Sequence, residues 1–450
     1  MLVKCSIFRN KMLKAKLKAL LPLFLVANSI SWFTLTMVAV LSLSVPDQNN
    51  IQLERILSVS GSFFAGMLFS ALIGATLLAQ KMRQRRFVSL WILLGTASNL
   101  CFYFLGSQAS LIPLGILSLI LGGSVGLGIP MCLSMFANQT RNEKMGRTGA
   151  ALFVIIQIMT AAILFPLDGL GLENNFLFFS IWRILGLVGI IFLIENKNNN
   201  KVKDTPLLKI LKDRTFILYF LPWFMFTLIN FIQTPIVEYH MGQDIYNNYV
   251  LTTFIINCFS AIGAGFLCDF KGRKVTGILG FVLLGVGYAF LSFLSDPAVK
   301  LIGITLFTIF DGLAWGFLYV NFIFVVWGDL SEVSNRAKYY FLGGMPFLLS
   351  GLIQVSIEPF ASTIPIQTSF SLASFFLFIA TLPLLYAPES LSDKLMKSRE
   401  LFNYVNKALK KVQKEKETDP EQNKEKDEDE IEAEETPEEV EARKLAEKYY

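Results

Sequence analysis

The sequence predicts an all-α membrane protein with twelve transmembrane helices, arranged as two six-helix halves related by a pseudo-two-fold repeat. The first reason is composition: 53% of the 450 residues are hydrophobic and 17% are charged, whereas a soluble globular protein carries about 25% charged residues. The second is that the apolar residues form windows of about 20, which are long enough to cross a bilayer as helices. The third is that loops at matching positions in the two halves resemble each other.

Twelve apolar windows follow one another, separated by short connections that carry charges, Asn, Gly or Pro. The least distinct break is "DGLGLENN" (Asp168 to Asn175), between the fifth and sixth windows. We interpret the basic and apolar N-terminal stretch as a retained first span, because its apolar part is too long for a signal peptide and lacks a small-residue cleavage pattern. The predicted spans are 19–45, 55–80, 87–106, 109–137, 148–167, 174–194, 215–237, 248–268, 274–294, 300–327, 339–359 and 366–387.

Basic residues predict the orientation, since Lys and Arg collect on the cytoplasmic side of membrane proteins. They concentrate in the N-terminal segment, in alternate connections and after the last span, all on one side of the predicted membrane. The opposite side holds only Arg55 and Lys300. Both termini are therefore expected in the cytoplasm, with the protein in the cell membrane.

The predicted organisation has five segments. Residues 1–194 form the N-terminal six-helix half and 215–388 the C-terminal half, with the cytoplasmic loop 195–214 between them. An amphipathic cytoplasmic helix is expected over 389–416, because its basic and apolar residues suit a membrane surface. The segment 417–450 is acidic and poor in apolar residues, which predicts a largely disordered tail.

Two pairs of loops carry the repeat. The loop "QKMRQRR" after the second span matches "DFKGRK" after the eighth, and "QTRNEKMGRTGA" after the fourth matches "GDLSEVSNRAKYY" after the tenth. Repeated six-span halves are typical of transporters, in which the substrate binds near mid-membrane where the halves meet. The sequence therefore predicts a binding cavity between the halves.

Residue patterns that would indicate catalysis are absent from the sequence. The five cysteines have no paired spacing, and the single histidine, His240, lies at an outer span end, where solvation explains it. Neither a nucleophile elbow nor a phosphate-binding loop occurs. We expect no enzyme activity, no cofactor, no metal site and no nucleic-acid partner. The expected partners are the lipid bilayer and a small-molecule substrate, with a proton or another ion as a candidate for coupling, and the protein is expected to be a monomer.

The loop after the eighth span contains a glycine, acid and base pattern. Its members are Gly265, Asp269, Gly272, Arg273 and Lys274. Together with the span count, the repeat and the loop placement, it resembles the inner-loop signature of the major facilitator superfamily, over roughly residues 15–390.

The resemblance implies that this loop holds an inner gate shut. The residue types suit such a latch, because glycine permits close helix approach and a tight turn. A carboxylate can face the positive N-terminal end of a helix, and an arginine can form a forked pair with a carboxylate. The alternative is that the basic residues only fix the topology.

Two charged residues lie near the centre of predicted spans, where charges are costly and mark functional candidates. Asp311 in the tenth span could exchange a proton, attract a cationic substrate or make a structural hydrogen bond. Arg183 in the sixth span could pair with Asp311 across the cavity, bind an anionic group of the substrate or pack between helices. The sequence leaves these alternatives open.

Polar and aromatic residues on the first, seventh and tenth spans complete the candidate site. They are Asn28, Trp32, Asn230, Gln233 and Trp315. This modest polarity favours a small amphiphilic or weakly charged organic solute over a sugar or a polyphosphate. The expected function is secondary active transport by alternating access, with proton coupling as an option. The alternative is a non-transporting membrane sensor or scaffold that uses the charged tail to bind a partner.

Overall fold

The described part of the chain is entirely helical. A computed structural model describes residues 2–44, 53–78, 82–106, 110–167, 171–190 and 205–391, and every regular element within them is a helix. The prediction of an all-α membrane protein is confirmed for these residues.

The main helices are numbered here in chain order. The first six are α1 (Leu2–Ser44), α2 (Leu53–Leu78), α3 (Gln84–Leu105), α4 (Leu111–Gln139), α5 (Met145–Leu167) and α6 (Leu172–Leu185). The next six are α7 (Arg214–Met241), α8 (Gln243–Lys271), α9 (Arg273–Leu291), α10 (Lys300–Asp329), α11 (Arg336–Thr363) and α12 (Ile366–Tyr386).

Eleven helices in the described residues are long and apolar enough to cross a membrane. The exception is α6, which with its continuation Leu187–Ile190 forms a shorter apolar helix. The sixth span was predicted over 174–194, and the described stretch ends at 190. The count of twelve spans and the repeat of two halves therefore stay predictions.

Segments of π-helix interrupt two of the spans. They occur in α2 at Leu57–Gly61 and Gly74–Leu78, and in α10 at Val320–Val325. A π turn is wider than an α turn and takes up an extra residue, and such turns are frequent at functional sites. The segment in α10 separates two buried carboxylates, those of Asp311 in the N-terminal half of the helix and of Asp329 at its C-terminal end.

Glycine allows two direct turns between neighbouring spans. Gly242 joins α7 to α8 with a φ of 82°, and Gly272 joins α8 to α9 with a φ of 108°. A side chain is strained in this region of backbone conformation, so only glycine reverses the chain there at little cost. The turn at Gly272 places the end of α8 directly beside the start of α9.

The outer surface of the helices carries large apolar side chains. Ile112, Phe259 and Leu301 are each more than 70% exposed. A soluble protein rarely exposes apolar surface so extensively, whereas a helix that faces lipid must do so. This distribution supports the membrane assignment independently of helix length.

Chain packing separates Met1–Ser390, one compact unit, from Leu391–Tyr450. The predicted middle loop is described from residue 205, where it contains a short helix, Leu207–Leu211. Beyond Leu391, the predicted helix over 389–416 lies outside the described residues, as does the predicted tail over 417–450.

Candidate functional site

A central cavity of about 370 Å³ lies between helices of the two predicted halves. Residues of α1, α4 and α5 line it on one side, and residues of α7 to α11 on the other. Its polar lining is sparse. The polar side chains apart from tyrosine and tryptophan are those of Thr34, Gln157, Asn230, Thr234, Thr253, Asn257, Asp311 and Gln354.

Asp311 provides the charge in this cavity. Among the described residues that line it, no other is an aspartate, glutamate, lysine, arginine or histidine. The side chain is 1% exposed, and the Tyr249 hydroxyl donates a hydrogen bond to Oδ2 at 2.7 Å. Gly312 has no side chain and so lets α10 approach α8 closely, since a Cβ at this position would lie 2.8 Å from the Ile256 side chain. Close packing of α8 and α10 thus fixes Asp311 against Tyr249.

Two further predicted site residues face the cavity. Asn230 lines it and accepts a hydrogen bond from the Tyr288 hydroxyl at 3.1 Å. Trp315, one turn beyond Asp311, also lines it and stacks on Tyr319 with ring centroids 4.9 Å apart. The seventh and tenth spans therefore contribute to the cavity.

Three predicted site residues lie away from the cavity lining. Gln233 accepts a hydrogen bond from the Ser369 hydroxyl at 2.8 Å and so contacts α12. Asn28 donates to the carbonyl of Trp182 at 2.7 Å. Trp32 is fully buried, and none of these three side chains lines the cavity.

Arg183 is buried between α6, α1 and α3. Its guanidinium carbon lies 4.3 Å from the ring centre of Trp32 and 4.0 Å from that of Trp91, and Nη1 donates to the Ser29 hydroxyl at 2.9 Å. Of the alternatives that the sequence left open for Arg183, a pair with Asp311 across the cavity is not observed in this structure. The Arg183 side chain points from α6 towards α1 and α3, where its guanidinium lies against the indole rings of Trp32 and Trp91.

Asp269 binds the N-terminal end of α5. Its Oδ1 accepts from the backbone N–H of Gly146 at 2.8 Å, and its Oδ2 accepts from the backbone N–H of Arg147 at 3.0 Å. The Arg147 Nε also lies 3.0 Å from Oδ2. A carboxylate is favoured at a helix N-terminus because unpaired N–H groups and the positive end of the helix dipole meet there.

Glycines permit this contact. A Cβ on Gly265 would lie 2.6 Å from the Ala150 Cβ and 2.8 Å from the Gly146 carbonyl oxygen. A Cβ on Gly146 would lie 2.6 Å from the Gly265 carbonyl oxygen. The backbones of α5 and α8 therefore touch at a pair of glycines, one turn from Asp269.

Arg273 connects several helix ends. Its Nε donates to Asp329 Oδ2 at 2.7 Å, its Nη1 to the Cys268 carbonyl at 2.8 Å and its Nη2 to the Asn142 carbonyl at 2.6 Å. Asp269 is a more distant partner, with 3.6 Å between Nη1 and Oδ1. The expected forked pair with one carboxylate is not observed, because the three donor groups reach three different acceptors.

Glu389 holds the start of α9. Its carboxylate accepts from the backbone N–H groups of Arg273 at 2.8 Å and Lys274 at 3.1 Å, while Lys274 Nζ donates to the Leu385 carbonyl at 2.6 Å. A Cβ on Gly272 would collide with the Glu389 carboxylate. The glycine in the turn therefore has a second role, which is to admit this carboxylate.

The sequence analysis missed four residues of the inner cluster, which is the set of residues bonded around Asp269 and Arg273, and one residue of the cavity. The four are Gly146, Arg147, Asp329 and Glu389, and the cavity residue is Tyr249. Asp329 and Gly146 lie in the two loop sequences that carry the repeat, so a comparison of the halves could have drawn attention to them. Glu389 and Tyr249 had no local signal.

The model of the Major Facilitator Superfamily matches residues 23–326, which is more than half of the chain. The chain belongs to the major facilitator superfamily.

Solved structures of this superfamily are similar in fold. The proton:xylose symporter XylE bound to 6-bromo-6-deoxy-D-glucose aligns with a TM-score of 0.64 and 15% identity, over 84% of this chain and 96% of that one. A double-tryptophan mutant of XylE aligns with a TM-score of 0.60 and 14% identity, over 86% of this chain and 98% of that one. No curated protein sequence matches the chain. At this identity, the likeness to XylE concerns the fold alone.

Proposed function

We propose that this superfamily member is a secondary active transporter, which moves a small organic solute across the cell membrane by alternating access. The observation that carries the proposal is the combination of a central cavity with a cluster of buried charges that joins the two predicted halves at their inner ends. A cavity between two halves is where transporters of this architecture bind their substrate.

The inner gate is proposed to consist of the contact between Asp269 and α5, together with the contacts of Arg273. Further bonds join the same two halves nearby, such as the one from Arg336 Nη1 to Asn138 Oδ1 at 2.7 Å. The side chains of Asp269, Arg273 and Asp329 are buried and bonded to the other groups of the gate, so opening the gate requires water to replace their partners. With both termini placed in the cytoplasm, as the basic residues suggest, this arrangement supports a closed inner side.

Asp311 is the proposed ionisable group of the transport cycle. A carboxylate within a membrane span needs a proton or a cation to compensate its charge. It can therefore couple transport to a proton gradient or bind a positive charge on the substrate. XylE is a proton symporter by name, which makes proton coupling a reasonable first experiment for this chain.

Reconstitution into proteoliposomes tests the proposal. Counterflow of a solute identified by ligand stabilisation should be seen with the parent protein and be slower in Asp269→Asn. Binding of such a solute without any flux would favour the alternative, a membrane sensor or scaffold that uses the acidic segment 417–450 as its partner-binding region.

A further inference from the structure

We propose that the solute is a monovalent organic cation with a bulky apolar or aromatic body, bound in the central cavity by Asp311. The inference rests on the proposed function for its transport aspect, but it concerns the binding site itself. It is carried by the charge, the aromatic lining and the opposite wall of the cavity.

The charge of the cavity is unbalanced. Asp311 is its single acidic residue, and no described lining residue is a lysine, arginine or histidine. Arg183, the basic residue that the sequence suggested as a candidate partner for Asp311, lies instead between Trp32 and Trp91. The Tyr249 hydroxyl orients the carboxylate with one hydrogen bond but brings no positive charge. A buried carboxylate in this position gains most from a cationic partner, since burial of an unpaired charge is costly.

The wall around Asp311 is aromatic. Tyr249 stacks on Phe307 with ring centroids 5.4 Å apart, and Tyr288 packs on the same ring at 5.4 Å. Trp315 and Tyr246 complete this part of the lining. The faces of aromatic rings carry negative potential and attract cations, more strongly when water is excluded. The ring cluster therefore adds to the selectivity of the carboxylate for positive charge.

The wall that faces Asp311 from the first half is mainly apolar. Ile30, Phe33, Met37, Leu133 and Ile156 line it, with Thr34 and Gln157 as its polar side chains. A sugar would bury many hydroxyl groups against this wall without partners, at a cost for each. An apolar body gains from the same contact. The volume of about 370 Å³ falls in the range of sites for drug-sized ligands, about 300–1,000 Å³.

The test uses two ions of nearly the same shape and opposite charge, tetraphenylphosphonium and tetraphenylborate. Binding to the full-length purified protein is measured by equilibrium dialysis in detergent, with empty detergent as the blank. We expect tetraphenylphosphonium to bind and tetraphenylborate to bind at least about tenfold more weakly, since one charged partner is worth at least that factor. No binding of tetraphenylphosphonium, or equal binding of both ions, would overturn the inference.

Substitutions locate the site. Asp311→Asn keeps the shape of the side chain and should weaken tetraphenylphosphonium binding about tenfold or more, whereas Asp311→Glu should keep the preference for the cation. Glu358→Gln is the matched control, because it removes a carboxylate from α11 that does not line the cavity, and its binding should equal that of the parent. If Asp311→Asn does not fold, the charge preference of the parent and of Asp311→Glu decides. Unchanged binding in a folded Asp311→Asn protein would overturn the proposal.

The binding and transport results separate the two proposals. Binding of the cation that depends on Asp311, without flux in proteoliposomes, would support the ligand class and contradict transport. Flux of a neutral or anionic solute that tetraphenylphosphonium does not inhibit would support transport and contradict the ligand class.

Discussion

Asp269 on α8 and Arg147 on α5 meet where an end of each helix comes together, and Oδ2 of the carboxylate lies 3.0 Å from both the backbone nitrogen and Nε of the arginine. The same carboxylate also accepts from the N–H of Gly146. One side chain from the second half therefore binds the beginning of a helix of the first half. Separation of the two helix ends breaks all of these bonds together.

Replacement of Asp269 should loosen the inner gate. Asp269→Asn keeps one acceptor but removes the charge, which should disfavour the closed state by about 1–3 kcal/mol and lower transport while leaving insertion intact. The measurement is labelling from the inner side of a cysteine introduced at Ile323, which lines the cavity, in a background without native cysteines. Lys271→Gln, an exposed residue two positions away, is the control. Equal labelling in the Asp269→Asn protein and the parent would contradict the latch.

Close approach of α5 and α8 should depend on Gly265 and not on Gly263. Gly265→Ala places a methyl group 2.6 Å from the Ala150 Cβ, and overpacking of this kind costs about 1–3 kcal/mol. Gly263→Ala, on the same helix with nothing within 4 Å of its Cβ, should be neutral or slightly stabilising. Thermal unfolding in detergent compares the two. Equal melting temperatures would show that the helices do not need this contact.

Arg183 is expected to pack between helices and not to bind the ligand. Arg183→Met keeps most of the apolar packing and removes a buried charge, so it should stay close to the parent in stability. Arg183→Lys should be less stable than Arg183→Met by about 1 kcal/mol or more, because an ammonium cannot stack on two indole rings as a guanidinium does. Melting temperatures and tetraphenylphosphonium binding test both points. Loss of binding in Arg183→Met would place Arg183 in the site after all.

The tail after residue 413 should be dispensable for transport. The spans and the inner cluster end before it, so a chain truncated after Gln413 should transport at a near-normal rate per molecule. Flux per inserted molecule is the measurement. Loss of flux on truncation, with normal insertion, would make the tail part of the mechanism.

Glu389→Gln should lower the flux per inserted molecule, because the Glu389 carboxylate accepts hydrogen bonds from the N–H groups of Arg273 and Lys274.

Local patterns predicted the parts of the structure that depend on nearby residues. Apolar windows predicted most helices within a few residues, and the glycine and acid pattern led to the expected contact of Asp269 with a helix N-terminus, although its role as a gate stays a prediction. Bases that were interpreted only as topology signals, such as Arg147, also take part in that contact.

Contacts between distant residues could not be predicted. Glu389 and Arg273 are 116 residues apart, and Tyr249 and Asp311 are 62 apart. No spacing rule connects such pairs, because they depend on how the helices pack. The same holds for Arg183, whose indole partners lie on two other helices. The sequence identified both charges as candidates, but it left open whether Arg183 pairs with Asp311, binds the ligand or packs between helices.

The π segment Val320–Val325 determines how α10 tolerates insertions and deletions. Asp329 follows Asp311 by about five turns of a regular α-helix, which would place both carboxylates in phase on one side. The wider π turn takes up one residue and rotates them apart by about 100°. This offset lets one helix present one acid to Tyr249 and the other to Arg273. A deletion of one residue there would remove the residue that the π turn takes up, so a regular α-helix would keep the same offset and both acids would keep their partners, whereas a deletion elsewhere between the two acids would rotate them out of it.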